Sequence, residues 1–459
     1  MEFPKTPKKI YLAALAVLLA AALPPLLPAG AAPGVDYEAR AQAVVAGLTR
    51  LNGLQGWTAD SPASWPPLTT EFSRLRRESG RTVLGAAFSS DQPARLTAMA
   101  LINAGLDRSA DLSGLSGLTS LDLSVNRLRG LNLDGNGALV HLAVLKNQIS
   151  SLNLASSPLL LTLDLSGNEL ARLDLTANPL LTEVNLSRNR LTALDLGNNR
   201  RLARLEAAAN QLAGLDVSAH PELTLIRAAY NRIPALNLTA NPLLAGLDLR
   251  SNRLAVLDLS RNPDLSELAV GRNRLDVLDL SHNPGLTRLE VEHNRLTRLD
   301  LSHCDRLEIL EASGNPLTEI SLSPEAPLIS LNLDGGRLPL SSLAPLAGRA
   351  RDRTRFGRQT RVLFENRTLT LREELDLSAE AEFGGVPTEF QVLSEKSRRL
   401  KASFYTQEGG KIRFNMPGRY MVEMSNPQVF SSERGAGGPA ARIRRVKVKA
   451  ITGLVEVGP

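Results

Sequence analysis

Leucine recurs along the middle of the chain with a strict 21-residue period. From Leu118 to Pro327 the pattern LxxLxLxxN repeats ten times without insertion or deletion, and Leu328 opens a partial eleventh unit. The leucines of LxL alternate with one other residue, so their side chains point to the same side of a short extended segment. One such segment cannot bury its apolar face alone. The pattern therefore predicts coils that stack at about 4.8 Å per turn around a continuous leucine core.

An asparagine lies eight positions after the first leucine of every full unit. Its side-chain amide carries both donors and acceptors, so it can satisfy backbone groups that a turn leaves unpaired. We therefore predict a structural asparagine ladder through the stack. Its members are Asn126, Asn147, Asn168, Asn189, Asn210, Asn231, Asn252, Asn273, Asn294 and Asn315.

The second half of each unit repeats the same motif ten positions later, as in Leu170–Asn178. No helical periodicity lies between the halves, so both sides of each coil are predicted to be extended. The nested motif resembles that of the leucine-rich-repeat family, and within it the bacterial subclass with the same repeat length. This resemblance implies a solenoid, a fold that mostly serves as a binding surface.

The N-terminal segment has the pattern of an export signal. A basic head, Lys5–Lys9, precedes an apolar run, Ile10–Leu23, and the small residues Ala29–Ala31 offer a cleavage site. The alternative is a membrane anchor, but the run is shorter than the ~20 residues that a span requires. We predict a signal peptide over residues 1–31 and a secreted or cell-surface protein.

The open N-terminal end of the solenoid needs a cover, because core leucines would otherwise meet water. Residues 32–95 are predicted to supply this cap, with a short helix in Tyr37–Leu51, where apolar residues have helical spacing. Trp57 and Trp65 are assigned to the cap, ligand stacking being the alternative. The solenoid is predicted over residues 96–339: a degenerate first repeat (96–117), ten repeats (118–327) and a partial last repeat (328–339).

The C-terminal part has a different pattern. Residues 340–361 are predicted to be a Pro/Arg-rich linker, since Arg349–Arg361 holds six arginines against one aspartate. Short alternating segments over residues 362–459 predict a β-sandwich. Within them, Gly410–Met424 resembles the F-x-x-P-G-x-Y-x-V hairpin of bacterial immunoglobulin-like domains, which implies an Ig-like module. The predicted fold class is mainly β: a solenoid with a short helical N-terminal cap and a C-terminal β-sandwich.

Charge separates along the chain. Leu118–Ala347 has 21 basic and 25 acidic residues, a net charge of −4, whereas Gly348–Pro459 has 21 basic and 13 acidic residues, a net charge of +8. The basic C-terminal part of an exported chain could bind anionic polymers through its charge. The alternative function is therefore a structural component of the envelope or matrix. Nucleic acid is not an expected partner, because there is no recognition motif and aromatic residues are only 4% of the chain.

Catalytic patterns have little support. The five histidines are scattered, and we find no nucleophile elbow, phosphate loop or metal-ligand spacing. We predict no enzyme activity, no cofactor and no metal; an uncharacterised hydrolase is a third interpretation.

Cys304, the one cysteine, is interpreted as a small buried residue in place of an asparagine rather than a reactive thiol. A column of aspartates in the second halves is interpreted as locally hydrogen-bonded, with cation sites as the alternative: Asp174, Asp195, Asp216, Asp258, Asp279 and Asp300.

The outward positions of the first halves vary most, and such variation can encode a partner. Arginine and tyrosine are favoured interface anchors. We predict a ligand-binding patch on the strand face, with an ordinary charged surface as the alternative, and a monomeric protein. Resemblance to internalin-like adhesins implies a protein or glycan ligand on a host or neighbouring cell. The predicted patch consists of Arg204, Arg227, Tyr230, Arg250, Arg272, Glu290 and His293.

Overall fold

The computed structural model describes residues 83–88, 96–113, 115–347, 349–351, 353–356, 358–371, 373–383, 386–426, 430–434, 443–447 and 449–457. The predicted signal peptide, the predicted cap helix and both tryptophans lie outside these residues. The chain divides into two compact units between Leu223 and Thr224, and each is described by itself.

The described part of the first unit is a stack of parallel coils preceded by one antiparallel strand. β1 pairs antiparallel with β2, and β2, β4, β6, β7, β8 and β9 follow in parallel. β3 and β5 form a separate parallel pair. The strands are β1 (Val83–Phe88), β2 (Leu96–Ile102), β3 (Asp107–Asp111), β4 (Ser120–Asp122), β5 (Arg127–Asn132), β6 (His141–Ala143), β7 (Thr162–Asp164), β8 (Glu183–Asn185) and β9 (Arg204–Glu206).

The second unit continues the same coil pattern. β10, β11, β12, β13, β15, β17 and β18 form a parallel sheet, and β14 pairs in parallel with β16. From β10 to β17 each residue pairs with the residue one sequence period further on. The strands are β10 (Leu225–Arg227), β11 (Gly246–Asp248), β12 (Glu267–Ala269), β13 (Arg288–Glu290), β14 (Arg298–Leu301), β15 (Ile309–Glu311), β16 (Glu319–Leu322), β17 (Ser330–Asn332) and β18 (Arg353–Arg355).

The described residues of the second unit that follow β18 are also mainly β-structure. A four-stranded sheet has the order β19-β29-β26-β23, a three-stranded sheet has the order β20-β25-β24, and β21 pairs with β22. β27 and β28 extend the solenoid sheet antiparallel to β18. The strands are β19 (Arg358–Leu369), β20 (Glu374–Asp376), β21 (Glu382–Phe383), β22 (Val386–Pro387), β23 (Glu389–Ser394), β24 (Tyr405–Glu408), β25 (Lys411–Phe414), β26 (Gly418–Ser425), β27 (Phe430–Arg434), β28 (Ile443–Lys447) and β29 (Lys449–Val457).

Helix is scarce in the described residues. It comprises one α-helical turn, α1 (Leu340–Leu343), and short 3₁₀ turns at Ala344–Leu346, Ser378–Glu380 and Ala402–Phe404. None of these helices has the length and apolar character needed to cross a bilayer. The prediction of a mainly β solenoid is confirmed.

The leucine pattern builds the core as predicted. The leucines that start the ten full repeats are completely buried, and the central strand leucines lie directly opposite one another in neighbouring coils. Leu247, Leu268 and Leu289 are one such series. Because a coil buries its leucines only against its neighbours, stability comes from the stack rather than from any single coil.

The asparagine after each first strand joins neighbouring coils. The amide of Asn252 donates to the carbonyls of Ala228 (2.9 Å) and Leu249 (3.0 Å), and its Oδ1 accepts the N–H of Ile233 at 3.0 Å. Equivalent bonds are made by Asn168, Asn189, Asn273 and Asn294.

The second side of the coils pairs as strands less than the repeat pattern predicts. Among the described residues, only β3 with β5 and β14 with β16 pair as strands there. Elsewhere the coils are joined by backbone bonds such as Arg253 N–H to Ile233 O (3.0 Å), while Leu254 N–H donates to the side chain of Asn273. At this position of the coil the amide oxygen of the asparagine is the acceptor instead of a backbone carbonyl.

A second buried column runs through the second halves. Asn262 donates to the carbonyls of Leu238 (3.2 Å) and Asn241 (2.8 Å). Cys304 occupies the same position of its own coil and is buried, with Sγ 4.0 Å from the carbonyl oxygen of Asn283. Burial raises the pKa of this thiol to about 11, so it is protonated at neutral pH and a poor nucleophile.

The predicted linker region includes the last coil of the sheet. Arg353–Arg355 forms β18 and pairs in parallel with β17. Gln359, which is fully buried, accepts the N–H of Leu338 (3.0 Å) and donates to the carbonyl of Leu333 (3.0 Å). These are the bonds that the asparagine makes in the full repeats, so a glutamine takes the asparagine's role beyond Gly336, which holds the ladder position in the coil between.

Candidate functional site

The seven residues of the predicted patch fall at four positions of the coil. Arg204 begins β9 in the first unit and is exposed, and the other six belong to the second unit. Arg227 and Glu290 end β10 and β13, and Arg250 lies two positions after β11. The remaining three, Tyr230, Arg272 and His293, precede a ladder asparagine.

The structure brings Arg227, Arg250 and Glu290 together at one pocket of about 180 Å³ on the strand face of β10–β13. Gly246, Leu247, Leu268 and Ala269 also line it. The other lining side chains are mostly charged: Asp248, Glu267 and Arg288. We call this site the strand-face pocket. Its volume is below the roughly 300 Å³ at which small-molecule sites begin, so it is of a size for a single side chain of a partner.

Four lining residues form a chain of ion pairs, which we call the Arg250 network. The guanidinium of Arg250 binds Asp248 through Nε (3.0 Å) and Nη2 (2.7 Å), and its Nη1 donates to Glu290 Oε2 at 2.8 Å. Arg288 Nε donates to Glu290 Oε1 at 2.8 Å. Hydrogen bonds to Asp248 are the main reason that the pKa of Arg250 is raised. Bidentate pairs of this kind hold side chains in fixed orientations.

Small residues make this network possible. Arg250 and Glu290 belong to coils that are not adjacent, and the coil between them presents Ala269 and Gly271 at the corresponding positions. A Cβ atom at Gly271 would clash with the carboxylate of Glu292. Because Ala269 and Gly271 are small, the side chain of Arg250 can span a whole coil, and the strand-face pocket stays open.

Glu290 is only 7% exposed, yet both of its carboxylate oxygens are bound by arginines. A buried carboxylate is costly unless it is paired and hydrogen-bonded. The network therefore neutralises Glu290 and fixes the wall of the pocket. Glu267, in contrast, is an exposed carboxylate that forms no ion pair in the described part of the chain.

Glu292 differs from Glu290, because burial rather than ion pairing dominates its environment. Burial is the main cause that raises the pKa of its carboxyl, and the charge of Glu290 raises it further. Since the folded state holds this proton more tightly than the unfolded state, the carboxyl contributes stability below its unfolded pKa. That contribution is lost as the pH rises through the folded pKa.

Glu292→Gln is therefore expected to raise the free energy of unfolding at pH 7, by no more than about 1 kcal/mol because the group is partly exposed. The gain should vanish near pH 3.5, where both forms are neutral. Urea unfolding at the two pH values measures it, with Glu267→Gln as the matched control. A variant that is less stable at pH 7 would show that attraction to Arg250 outweighs the cost of burial.

Tyr230, Arg272 and His293 share one backbone conformation. All three have a positive φ, between 54° and 57°, as do the residues at the equivalent position of most coils. Tyr230 is 59% exposed, and Arg272 and His293 are exposed as well. They form a column along the edge of the strand face rather than part of the pocket. The His293 ring lies over Gly314, where a Cβ atom would meet it.

Sequence reasoning did not assign Asp248, Glu267 or Arg288 to the site. The signal for them was a small residue in place of a large one in two columns of strand residues, at Gly246 in the first column and at Ala269 in the third. It is visible only when the coils are aligned by the repeat period, because the pocket depends on what is missing between two coils.

The aspartate column is hydrogen-bonded locally. Asp258 accepts the N–H of Ser260 at 2.9 Å, and bonds from the Ser260 backbone and hydroxyl lower the pKa of its carboxyl. Asp279 and Asp300 are bonded in the same way by Ser281 and Ser302, with the same effect on pKa. Within the residues that the structure describes, no group of three His, Cys, Asp or Glu side chains has the geometry of a metal site.

Comparison with solved structures relates this coil geometry to known proteins. The functional domain of InlJ from Listeria monocytogenes, which includes a cysteine ladder, is similar over 79% of this chain and 91% of its own, with 20% identity and a TM-score of 0.51. The chain has a leucine-rich-repeat fold. YopM, a leucine-rich effector protein from Yersinia pestis, matches 73% of this chain and 84% of its own with 24% identity and a TM-score of 0.48. No protein-family model and no curated protein sequence matches the chain.

Proposed function

We propose that this protein is an exported leucine-rich-repeat binding protein that holds a protein partner on the strand face of β10–β13. The strand-face pocket is the observation that carries the proposal. Its walls are fixed by the Arg250 network before any partner arrives, and preorganised walls reduce the entropy lost on binding. Repeat solenoids commonly bind through such faces.

The groups around the pocket indicate what a partner would offer. Glu267 is an exposed carboxylate without an ion pair in the described part of the chain, and Tyr230 presents an exposed aromatic ring on the same series of coils. A lysine or arginine side chain that enters beside Glu267, with its aliphatic stem against Leu225, would satisfy both the charge and the apolar lining. We infer that the partner inserts a basic side chain here.

The test uses fluorescently labelled full-length protein and whole cells, both bacterial and animal, with and without protease treatment of the cells. Wild-type protein should bind one class of cells at physiological salt, and protease treatment should remove the binding sites. The double variant Tyr230→Ala/Glu267→Ala should bind at least about tenfold more weakly, since exposed aromatic anchors commonly dominate interfaces.

The matched control is Glu169→Ala/Arg190→Ala, which removes an exposed ion pair (3.1 Å) from a different position of the coil. It should bind like the wild type, because exposed pairs contribute little to stability. Equal binding by Tyr230→Ala/Glu267→Ala and the control would contradict the proposed site. Binding that survives protease treatment but disappears with salt would favour the alternative, a structural protein tethered to anionic polymers by its basic C-terminal part.

We also propose that the C-terminal sheets form an Ig-like sandwich that spaces or tethers the solenoid. Tyr420 in β26 stacks on Phe414 in β25 with ring centroids 4.7 Å apart. Its hydroxyl donates to the carbonyl of Met416 at 2.8 Å. A tyrosine that bonds back to the backbone a short distance upstream is a feature of immunoglobulin-like sandwiches. We propose no catalytic role for either part.

A further inference from the structure

Two neighbouring coils of the second unit expose large aliphatic side chains. Val256 is 73% exposed and Val277 is 74% exposed, at equivalent positions one repeat apart. Both lie in the second halves of their coils, so the leucine core separates them from the strand face. The next residue of each segment, Leu257 or Leu278, is buried. An adjacent pair of exposed valines is unusual on a surface that is otherwise charged here.

Charged columns of opposite sign border the valines. Two positions after each valine lie Asp258 and Asp279, which are exposed on the same side because burial alternates along the segment. Their local hydrogen bonds lower the pKa of both carboxyls, which keeps them ionised. Three positions before each valine lie Arg253 and Arg274, which are also exposed and form no ion pair within the described ranges.

In these two coils the face presents arginine, valine and aspartate in that order across its width, with Ala255 or the exposed Asp276 between the arginine and the valine. The coil that follows continues both charged columns with Arg295 and Asp300, and Arg298 takes the place of the valine. A surface with an apolar centre and opposite charges at its two edges is complementary to itself in one orientation. Only a two-fold rotation that exchanges the edges brings each positive column against a negative one.

We propose that this face binds a second copy of the chain, back to back, with the two-fold axis parallel to the direction in which the coils stack. In that dimer Val256 and Val277 meet the same residues of the second copy, and the arginine column of each copy faces the aspartate column of the other. Both solenoids run in the same direction, which leaves both strand faces open. A two-fold axis along the strands would instead oppose like charges.

The contact involves few coils, and it lies at the small end of protein interfaces, so the dimer is expected to be weak and sensitive to salt. The monomer predicted from the sequence would then be the state of the dilute protein only. Burial of the valines supplies the attraction, and the charged columns select the orientation.

Two charge variants test the proposal by sedimentation equilibrium of the full-length chain. Variant A carries Arg253→Asp/Arg274→Asp, so both edges are negative; variant B carries Asp258→Arg/Asp279→Arg, so both edges are positive. Wild-type protein should approach twice the monomer mass with rising concentration. A alone and B alone should dimerise at least about tenfold more weakly, whereas an equimolar mixture should recover dimers, because each negative edge then faces a positive one.

The recovery in the mixture also shows that both variants are folded. A wild-type chain that stays monomeric over the whole concentration range overturns the proposal. So does a mixture of A and B that associates no better than either variant alone, or a variant that dimerises as well as the wild type. Val256→Ser/Val277→Ser, at positions that are already exposed, should weaken the wild-type dimer without changing the unfolding curve.

Discussion

Replacing Asn252 by alanine is expected to lower the free energy of unfolding by about 3–4 kcal/mol. The substitution removes two donated bonds, to the carbonyls of Ala228 and Leu249, and one accepted bond, from the N–H of Ile233. Asn252 is buried, so water cannot replace these partners without opening the coil. Urea unfolding followed by far-ultraviolet circular dichroism measures the loss.

Two controls separate the hydrogen bonds from the loss of side-chain volume. Asn198→Ala removes an exposed asparagine whose amide donates to the carbonyl of Thr176 at 3.2 Å, and it should cost less than about 1 kcal/mol. Asn252→Asp keeps the size and the acceptor but loses both donated bonds, so it should destabilise nearly as much as alanine. If Asn252→Ala costs no more than Asn198→Ala, the ladder is not a main source of stability.

Leu268→Ala is the second substitution with a large expected effect, a loss of about 3–4 kcal/mol. Leu268 is 1% exposed, forms the centre of β12 and lies between Leu247 and Leu289 of the neighbouring coils. Parallel hydrogen bonds on both sides hold these coils in register, so they can collapse little into the cavity that alanine would leave. The loss is measured as a shift in the urea midpoint at an unchanged slope.

Leu243→Ala is the matched control, because Leu243 is 49% exposed and the same atoms are removed. It should change the free energy of unfolding by less than about 1 kcal/mol. Similar losses for Leu243→Ala and Leu268→Ala would contradict the stacked core.

The repeat period predicted the coils because a leucine core tolerates one register only. The repeat period could not predict the ion pairs between side chains of different coils. The sequence predicts a patch that includes Arg250, and in the structure Arg250 is paired with Asp248 and Glu290. The second partner lies almost two repeats away in sequence and is reached only because Ala269 and Gly271 are small. Such a contact depends on three coils at once, which no motif within a single repeat reveals.

The same limit applies to the second side of the coils. Its leucines have the spacing of a strand, and the repeat pattern predicts two extended sides. In the structure, the oxygen of Asn273 accepts the N–H of Leu254, and the same bond joins Leu128 to Asn147 in a coil that does pair as a strand. The asparagine was predicted as a structural residue, but the repeat motif does not mark which second sides pair as strands.

The ladder has a consequence for how this chain can change in length. Each ladder asparagine bonds the coil before it and its own coil, and every full coil offers its neighbours the same donors and acceptors. A block of one whole repeat can therefore be lost or duplicated without leaving a mismatched bond at the junction, whereas a block one residue shorter would turn every leucine of one segment outward. Such a chain can therefore gain or lose contact surface through duplication or deletion of whole repeats while it keeps its fold.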